Sequence, residues 1–438
     1  MQFLCTASAL TGTVPIPASK SHTIRALAIA GMAAGDSVLE APLVSADTLA
    51  ARQGIAALGA AVEVRADSWH VSGCNGWPQP ARTQIDTGNS GTTMRVLMGL
   101  CSLLRDGEIV LTGDEQVQRR PAGPLAAALA ELGAHVTALR GNGCPPFRVR
   151  GRLRGGRTSL EAATSQYVTS LLLACPLATG DSVIEVTHLN ERPYVDMTLA
   201  WLADQGIRVE HDDCRLFRIP GRQEYRRFKR RIPADFSSAS FFLAAGALPG
   251  NNVTCRGLDM TDPQADRAVV EYLQQMGADV NLNEGEIRVR AASLRGVELD
   301  LNATPDALPV MAVLGCFAVG CTRLRNVAHA RLKETDRIAV MARELRQLGA
   351  DIEEREDGLV IRESRLRGTA VRGHADHRVV MALALAGLSS SGQTAIDTAE
   401  ACTVTFPDFA ALMRRIGGRL REQPDSAAPT AGCADLPH

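Results

Sequence analysis

Along "HARLKETDRIAVMARELRQLGADI", residues 329–352, Ile338, Met341, Leu345 and Leu348 recur at helical spacing, and Gly349 stands where a left-handed C-cap would close the helix. The pattern predicts an amphipathic helix followed by a short β-like run. The same punctuation recurs along the chain at Gly59, Gly133, Gly206, Gly277, Gly349 and Gly417. A second series interleaves with it at Gly35, Gly107, Gly180, Gly250, Gly320 and Gly392. Both series step by about 72 residues, so the chain reads as six copies of one small α/β unit, each with two helices and several strands. Six such units divide more easily into three plus three around two cores than around one. The seam falls in "QEYRRFKRRIPADFSS", residues 223–238. Its basic run reads as a solvated linker strand rather than an RNA contact, because no aromatic platform accompanies the charges.

The polar residues that this periodicity leaves unexplained stand at helix entries. One set of helices opens with "ASKSHTIRALAIA", "GNSGTTMRVLMGL", "TSQYVTSLLLA", "DFSSASFFLAA", "TPDALPVMAVL" and "ADHRVVMALAL"; the other includes "RRPAGPLAAAL", "RPYVDMTLAWL" and "KETDRIAVMA". N-capping alone accounts for Asp235 and Ser237. It does not account for Lys20, Arg120, Lys333, Arg337 and Arg378, since cations there oppose the helix dipole unless an anion is present. Helix N-termini carry free N–H groups, and Gly88 and Gly91 in "GNSGTT" let backbone approach an oxyanion closely. Together these entries describe a pocket for a highly anionic small ligand. Glu334 and Asp306 open helices amid this positive charge, either as counter-ions or as an acid and a base. In "HADHR" (His374, Asp376, His377, Arg378) the two histidines suggest metal ligands, but no further ligand cluster accompanies them. A helix-entry anion contact by His377 and Arg378 is the reading adopted.

Composition narrows the class. With 438 residues, 45% hydrophobic, 22% charged and a formal net charge of −1, the chain is an ordinary soluble globular protein without a field that would draw nucleic acid or a membrane. Its N-terminus lacks a basic region and a long apolar core, and the 11 cysteines form no CxxC pair, so a cytoplasmic setting with reduced thiols is expected. Only three of the 47 basic residues are lysine: Lys20, Lys229 and Lys333. In a chain that writes positive charge as arginine, a lysine marks a place where a compact ammonium is needed, or else chance.

These residues match a family. "PASKSHTIRALAIA", "GNSGTTMR", "QRRPAGPL", "TSQYVTSLLL", "RPYVDMTL", "DFSSASFFLAA", "PDALPVMAV", "LKETDRI", "DHRVVMALAL" and "TFPDF" closely resemble, in order from about residue 10 to 415, the 5-enolpyruvylshikimate-3-phosphate synthase (3-phosphoshikimate 1-carboxyvinyltransferase) family. The resemblance implies an α/β fold of two pseudo-threefold lobes built from six βαβαββ repeats. Residues 19–232 would form one lobe, and 1–18 with 233–420 the other, with 421–438 read as a disordered tail. It implies transfer of the enolpyruvyl group of phosphoenolpyruvate to the 5-hydroxyl of shikimate 3-phosphate by addition and elimination. No metal or organic cofactor is implied, and a monomer is expected. A paralogue acting on another acceptor is the alternative reading.

By resemblance, Glu334 donates the proton, Asp306 accepts the hydroxyl proton and Lys20 bridges both substrates. Arg120, Arg337 and Arg378 with Gly91 and Gln166 would hold phosphoenolpyruvate, with Asn89 and His377 beside them. Lys20, Ser21, Arg25, Thr164, Ser165, Gln166, Tyr194, Asp306 and Lys333 would hold shikimate 3-phosphate. Asp336 is expected to position Arg337. The chain departs from the family pattern at Glu191 (usually Ser), His329 (often Asn) and Val404 (often basic). Glu191 is expected either to pair with Arg192 and point away from the acceptor phosphate, or to signal an acceptor without one.

Overall fold

The computed structural model describes residues 1–424, and within them six four-stranded sheets account for the six copies. Copy five shows the plan. Glu298–Asp300 runs parallel to Cys321–Arg325, which pairs antiparallel with Gly358–Arg362, itself paired with Asp351–Arg355. A parallel pair needs a crossover, and a helix supplies it. Alternation then sets the face: Thr322, Leu324, Leu359 and Ile361 are buried while their neighbours turn outward.

Each copy contributes two helices. In chain order they are α1 (Lys20–Met32) and α2 (Ala46–Ala57); α3 (Gly91–Cys101) and α4 (Gly123–Glu131); α5 (Ser165–Ala174) and α6 (Arg192–Asp204); α7 (Phe236–Ala247) and α8 (Ala268–Gln275); α9 (Leu308–Phe317) and α10 (Arg337–Gln347); α11 (His377–Ser389) and α12 (Phe409–Arg415). The first helix of each pair is buried nearly all round, as an apolar helix without a polar face must be. Helices α7, α9 and α11 pack on one another, and α3 packs on α1 and α5. A Cβ at Gly99 would stand 2.6 Å from the Ser170 carbonyl oxygen, so glycine permits the close α3–α5 approach. The buried apolar residues fall into two clusters, one between Ile24 and Ile232, the other joining Phe3–Ile16 to Phe236–Leu420.

The two segments that cross between the clusters each continue from a strand that pairs within its own half. Thr11–Pro15 pairs parallel with Asn252–Arg256, and Lys229–Arg231 with Asp36–Glu40. The two crossing segments hydrogen-bond to each other, Ser19 N to Pro233 O at 2.8 Å and Asp235 N to Pro17 O at 2.9 Å. The N-terminal strand Gln2–Thr6 completes the sixth sheet between Gln393–Ile396 and Arg419–Gln423.

Two expectations change here. The tail does not begin at Arg421: residues 421–423 continue a strand, with Leu4 opposite Arg421 and Leu420 buried. The N-terminal strand supplies backbone partners that a polar composition does not reveal. Residues 425–438 of the expected tail lie outside the described residues. Helix α10 starts at Arg337, capped by Asp336 accepting from Ala339 N at 3.0 Å. Lys333 and Glu334 therefore stand in the link before the helix rather than in its first turn.

Candidate active site

The inner helices aim their N-termini at one cavity between the two clusters. Side-chain caps close these ends. Ser19 accepts from His22 N at α1, Thr164 from Gln166 N at α5, and Asp376 from Arg378 N at 2.9 Å at α11. Capped in this way, the helices present the residues that follow, Lys20, Ser165, and His377 with Arg378, to the cavity. It is lined by Lys20, Ser21, Arg25, Gly91, Arg120, Thr164, Ser165, Gln166 and Tyr194 from one half of the chain. From the other come Asp306, Lys333, Glu334, Arg337, His377 and Arg378.

Asn89 is the exception among the expected residues. It does not line the cavity, because its amide donates to Asp114 and Gln116 at 2.7 Å each. Val404 also stays out, and its neighbour Thr405 takes the lining position.

Charge in the cavity is organised around Arg337, which is 1% exposed. Its Nε donates to Asp376 at 2.8 Å, its Nη1 to Asp306 at 2.7 Å and its Nη2 to Glu334 at 2.5 Å. Arg378 Nη2 meets the other Asp306 oxygen at 2.9 Å. Arg120 Nη2 lies 3.0 Å from Glu334 Oε1, in charge contact without a hydrogen-bond alignment. Asp336 does not position Arg337; it caps α10 and pairs with Arg331 at 2.7 Å. His374 pairs with Glu344 at 2.8 Å, Asp376 with Arg337, and only His377 of "HADHR" joins Arg378 at the cavity. Among the described residues, no group of three or more His, Cys, Asp or Glu is placed to hold a metal ion.

These contacts set the protonation states. Burial pushes the Glu334 carboxyl up, but Arg120, Arg337, His377 and Lys20 outweigh it and hold it well below the ordinary range. Burial likewise raises Asp306, and Arg378, Lys333 and Arg337 more than reverse it. Burial lowers His377 to about 3 and His329 to about 4, so both imidazoles are neutral at pH 7.

Glu191 departs most from expectation. Arg192 reaches away to Asp213 at 2.5 Å. Glu191 turns inward, fully buried, and accepts from Thr164 Oγ1 at 2.9 Å, Ser165 N at 3.0 Å, Ser165 Oγ at 2.8 Å and the Lys333 ammonium. A buried carboxylate satisfies itself with the nearest donors, and these outcompete a solvated arginine.

Among the lining residues that sequence reasoning missed are Asp47 and Arg95. Asp47, at the start of α2, lies 3.0 Å from Lys20 Nζ and looks in sequence like ordinary first-turn acid. Arg95 is buried in α3 and donates to Gln166 Oε1 at 2.8 Å and Pro121 O at 3.0 Å. A lone arginine inside the apolar run "TMRVLMGL" was its signal.

Comparison with known proteins follows the same lines. The EPSP synthase (3-phosphoshikimate 1-carboxyvinyltransferase) family model matches residues 5–413. A 3-phosphoshikimate 1-carboxyvinyltransferase of Acetivibrio thermocellus is 51% identical over 94% of this chain and 97% of its own. Another of that name, from Ruminiclostridium cellulolyticum, is 48% identical over 94% and 98%. A solved structure of EPSP synthase from Acinetobacter baumannii superposes with a TM-score of 0.80 at 27% identity, covering 96% of this chain and all of that one.

Proposed function

The chain belongs to the EPSP synthase family, and from that premise we propose how its own residues carry the reaction. The enzyme transfers the enolpyruvyl group of phosphoenolpyruvate to the 5-hydroxyl of shikimate 3-phosphate and releases phosphate. Its two lobes are residues 19–232, and 1–18 with 233–423. The cleft between them is built from one chain, which supports a monomer. Among the described residues no helix is long and apolar enough to cross a membrane, and we place the enzyme in the cytoplasm.

The observation that carries the assignment of roles is the unbroken run Arg120–Glu334–Arg337–Asp306–Arg378, in which two carboxylates alternate with three guanidiniums. Glu334 protonates the methylene carbon of phosphoenolpyruvate. Asp306 takes the proton of the 5-hydroxyl as its oxygen adds to C2. In the second half, phosphate leaves C2 and takes up the proton that Asp306 received, while the new methyl carbon returns a proton to Glu334. The cations hold Glu334 ionised as it stands. Substrate phosphate and carboxylate facing Lys20 and Arg120 weaken that field, so the carboxyl rises toward the range of a general acid. Asp306 keeps Arg337 and Arg378 and remains the base.

Lys20 bridges the substrates. Arg120, Arg378, Gly91, Gln166 and His377 hold phosphoenolpyruvate, and Arg337 acts mainly by orienting the two carboxylates. A Cβ at Gly91 would meet Arg120 Nη1 at 2.5 Å, which supports glycine as the residue that lets this clamp form. Ser21, Thr164, Ser165, Tyr194 and Lys333 hold the acceptor. Arg25 donates to Thr198 at 2.9 Å and the Tyr194 carbonyl at 2.8 Å, which supports its holding the acceptor wall in place.

The test is phosphate release from phosphoenolpyruvate with shikimate 3-phosphate, shikimate or UDP-N-acetylglucosamine as acceptor. Release with the first alone is expected. Equal release with either of the others overturns the acceptor.

A further inference from the structure

Two of the positions where the chain departs from its family's pattern face the same cavity. Glu191 is the N-cap residue of α6, yet its side chain makes no cap there. It reaches instead to the N-terminus of α5. The hydroxyls of Thr164 and Ser165, the Ser165 amide and the Lys333 ammonium all converge on its carboxylate. Two hydroxyls, a helix N-terminal N–H and an ammonium form a cradle for an oxyanion. Resting on the acceptor reading above, these are the same groups that receive the phosphate of shikimate 3-phosphate. One set of donors cannot serve a buried carboxylate and a phosphate dianion at once.

The second residue is His329. It is 7% exposed, lines the cavity with Glu191, and its Nε2 has no hydrogen-bond partner. An unpartnered imidazole nitrogen beside a carboxylate can receive that carboxylate once protonated. We propose that Glu191 is an internal occupant of the acceptor-phosphate cradle, exchanged for the phosphate when shikimate 3-phosphate binds, and that His329 takes a proton from water and receives the displaced carboxylate.

The surroundings allow the exchange. Lys333 is the main charge facing Glu191 and His329 the main titratable group, with Arg95, Tyr167 and Tyr194 also acting on it. Facing His329 are Glu191, Lys333 and Asp306. Burial keeps His329 neutral, at about 4, and Glu191 is the first group to oppose that shift. When phosphate enters, Lys333 exchanges one anion for another. The displaced carboxylate loses its cation, and proton uptake at His329 restores one. Binding is then coupled to proton gain, so affinity falls as pH rises above about 7, where the phosphate is already a dianion.

The experiment is calorimetric titration of the full chain with shikimate 3-phosphate at pH 7.5, in two buffers of different ionisation heat. Glu191→Ser and Glu191→Gln are each expected to bind at least about tenfold more tightly than wild type; the glutamine variant keeps the packing if serine unsettles it. Wild type should take up protons on binding, and His329→Asn should not. His329→Asn should weaken binding in wild type but not in the Glu191→Ser background. Unchanged affinity in both Glu191 variants, or binding without proton uptake in wild type, overturns the exchange while leaving turnover of shikimate 3-phosphate, and so the function, intact. Failure of every variant to bind shikimate 3-phosphate, with release supported by another acceptor, overturns the acceptor reading and the exchange together.

Discussion

Arg120 Nη2 stands 3.0 Å from Glu334 Oε1, so a cation from one half of the chain rests against the proposed proton donor of the other. The contact is not aligned as a hydrogen bond. Arg120 can therefore turn to a substrate anion without breaking a directed bond, and its departure raises the Glu334 carboxyl. In the mechanism we propose, binding of phosphoenolpyruvate and arming of the acid are one event.

Glu334→Gln removes the proton while keeping shape and hydrogen-bonding capacity. Turnover should fall on the order of 10²-fold or more, the scale of losing a general acid, with KM for shikimate 3-phosphate little changed. Steady-state kinetics decide it; near wild-type turnover would assign the donor elsewhere.

Lys20→Arg keeps the charge and changes its shape. The ammonium lies 3.0 Å from Asp47 and is largely buried, and in the proposed mechanism it serves as a point charge between two substrates. A planar fork must displace one of them, and a misplacement of about 1 Å costs on the order of 10²-fold. The measurement is kcat/KM for each substrate. Retained activity would reduce the scarcity of lysine in this chain to chance.

Arg337→Met leaves Asp306, Glu334 and Asp376 without their shared cation in a buried site. Destabilisation of roughly 3–5 kcal/mol is expected, as for breaking a buried pair from one side. Urea unfolding measures it, and adding Asp376→Asn should restore part of the loss. A change under about 1 kcal/mol would mean that the carboxylates neutralise themselves by protonation.

Stability should depend on pH through the buried imidazoles. His329 and His377 move down from 6.5 to about 4 and about 3. Between these values and 6.5 the unfolded chain binds more protons, so stability is complete above about pH 6.5 and falls as the solution is acidified toward 4. Each histidine contributes about 1.4 kcal/mol per pH unit inside its window. The depressed carboxyls of Asp306 and Glu334 add their losses only below about pH 4. Urea midpoints at pH 7, 6 and 5 should therefore decline, and His377→Asn should shallow the decline. A flat profile contradicts two buried neutral imidazoles.

What the sequence determined by itself is the repeated unit and where its chemistry gathers. Helical period, closing glycine and following strand are encoded within a dozen or so neighbouring residues, so Gly349 and its counterparts were legible without the fold. So was the crowding of Lys20, Glu334 and Arg378 at helix entries, because a cation at a positive helix end is a local contradiction. Only the tertiary structure decided which charge answers which. Glu191 turned to Lys333 rather than to adjacent Arg192, Asn89 to Asp114 and Gln116, Arg337 to three carboxylates, and the run after Leu420 to the N-terminal strand. Those partners are far apart in sequence and become neighbours only when two cores close on one cleft. There burial removes the water that would otherwise make every such pairing nearly equal in energy.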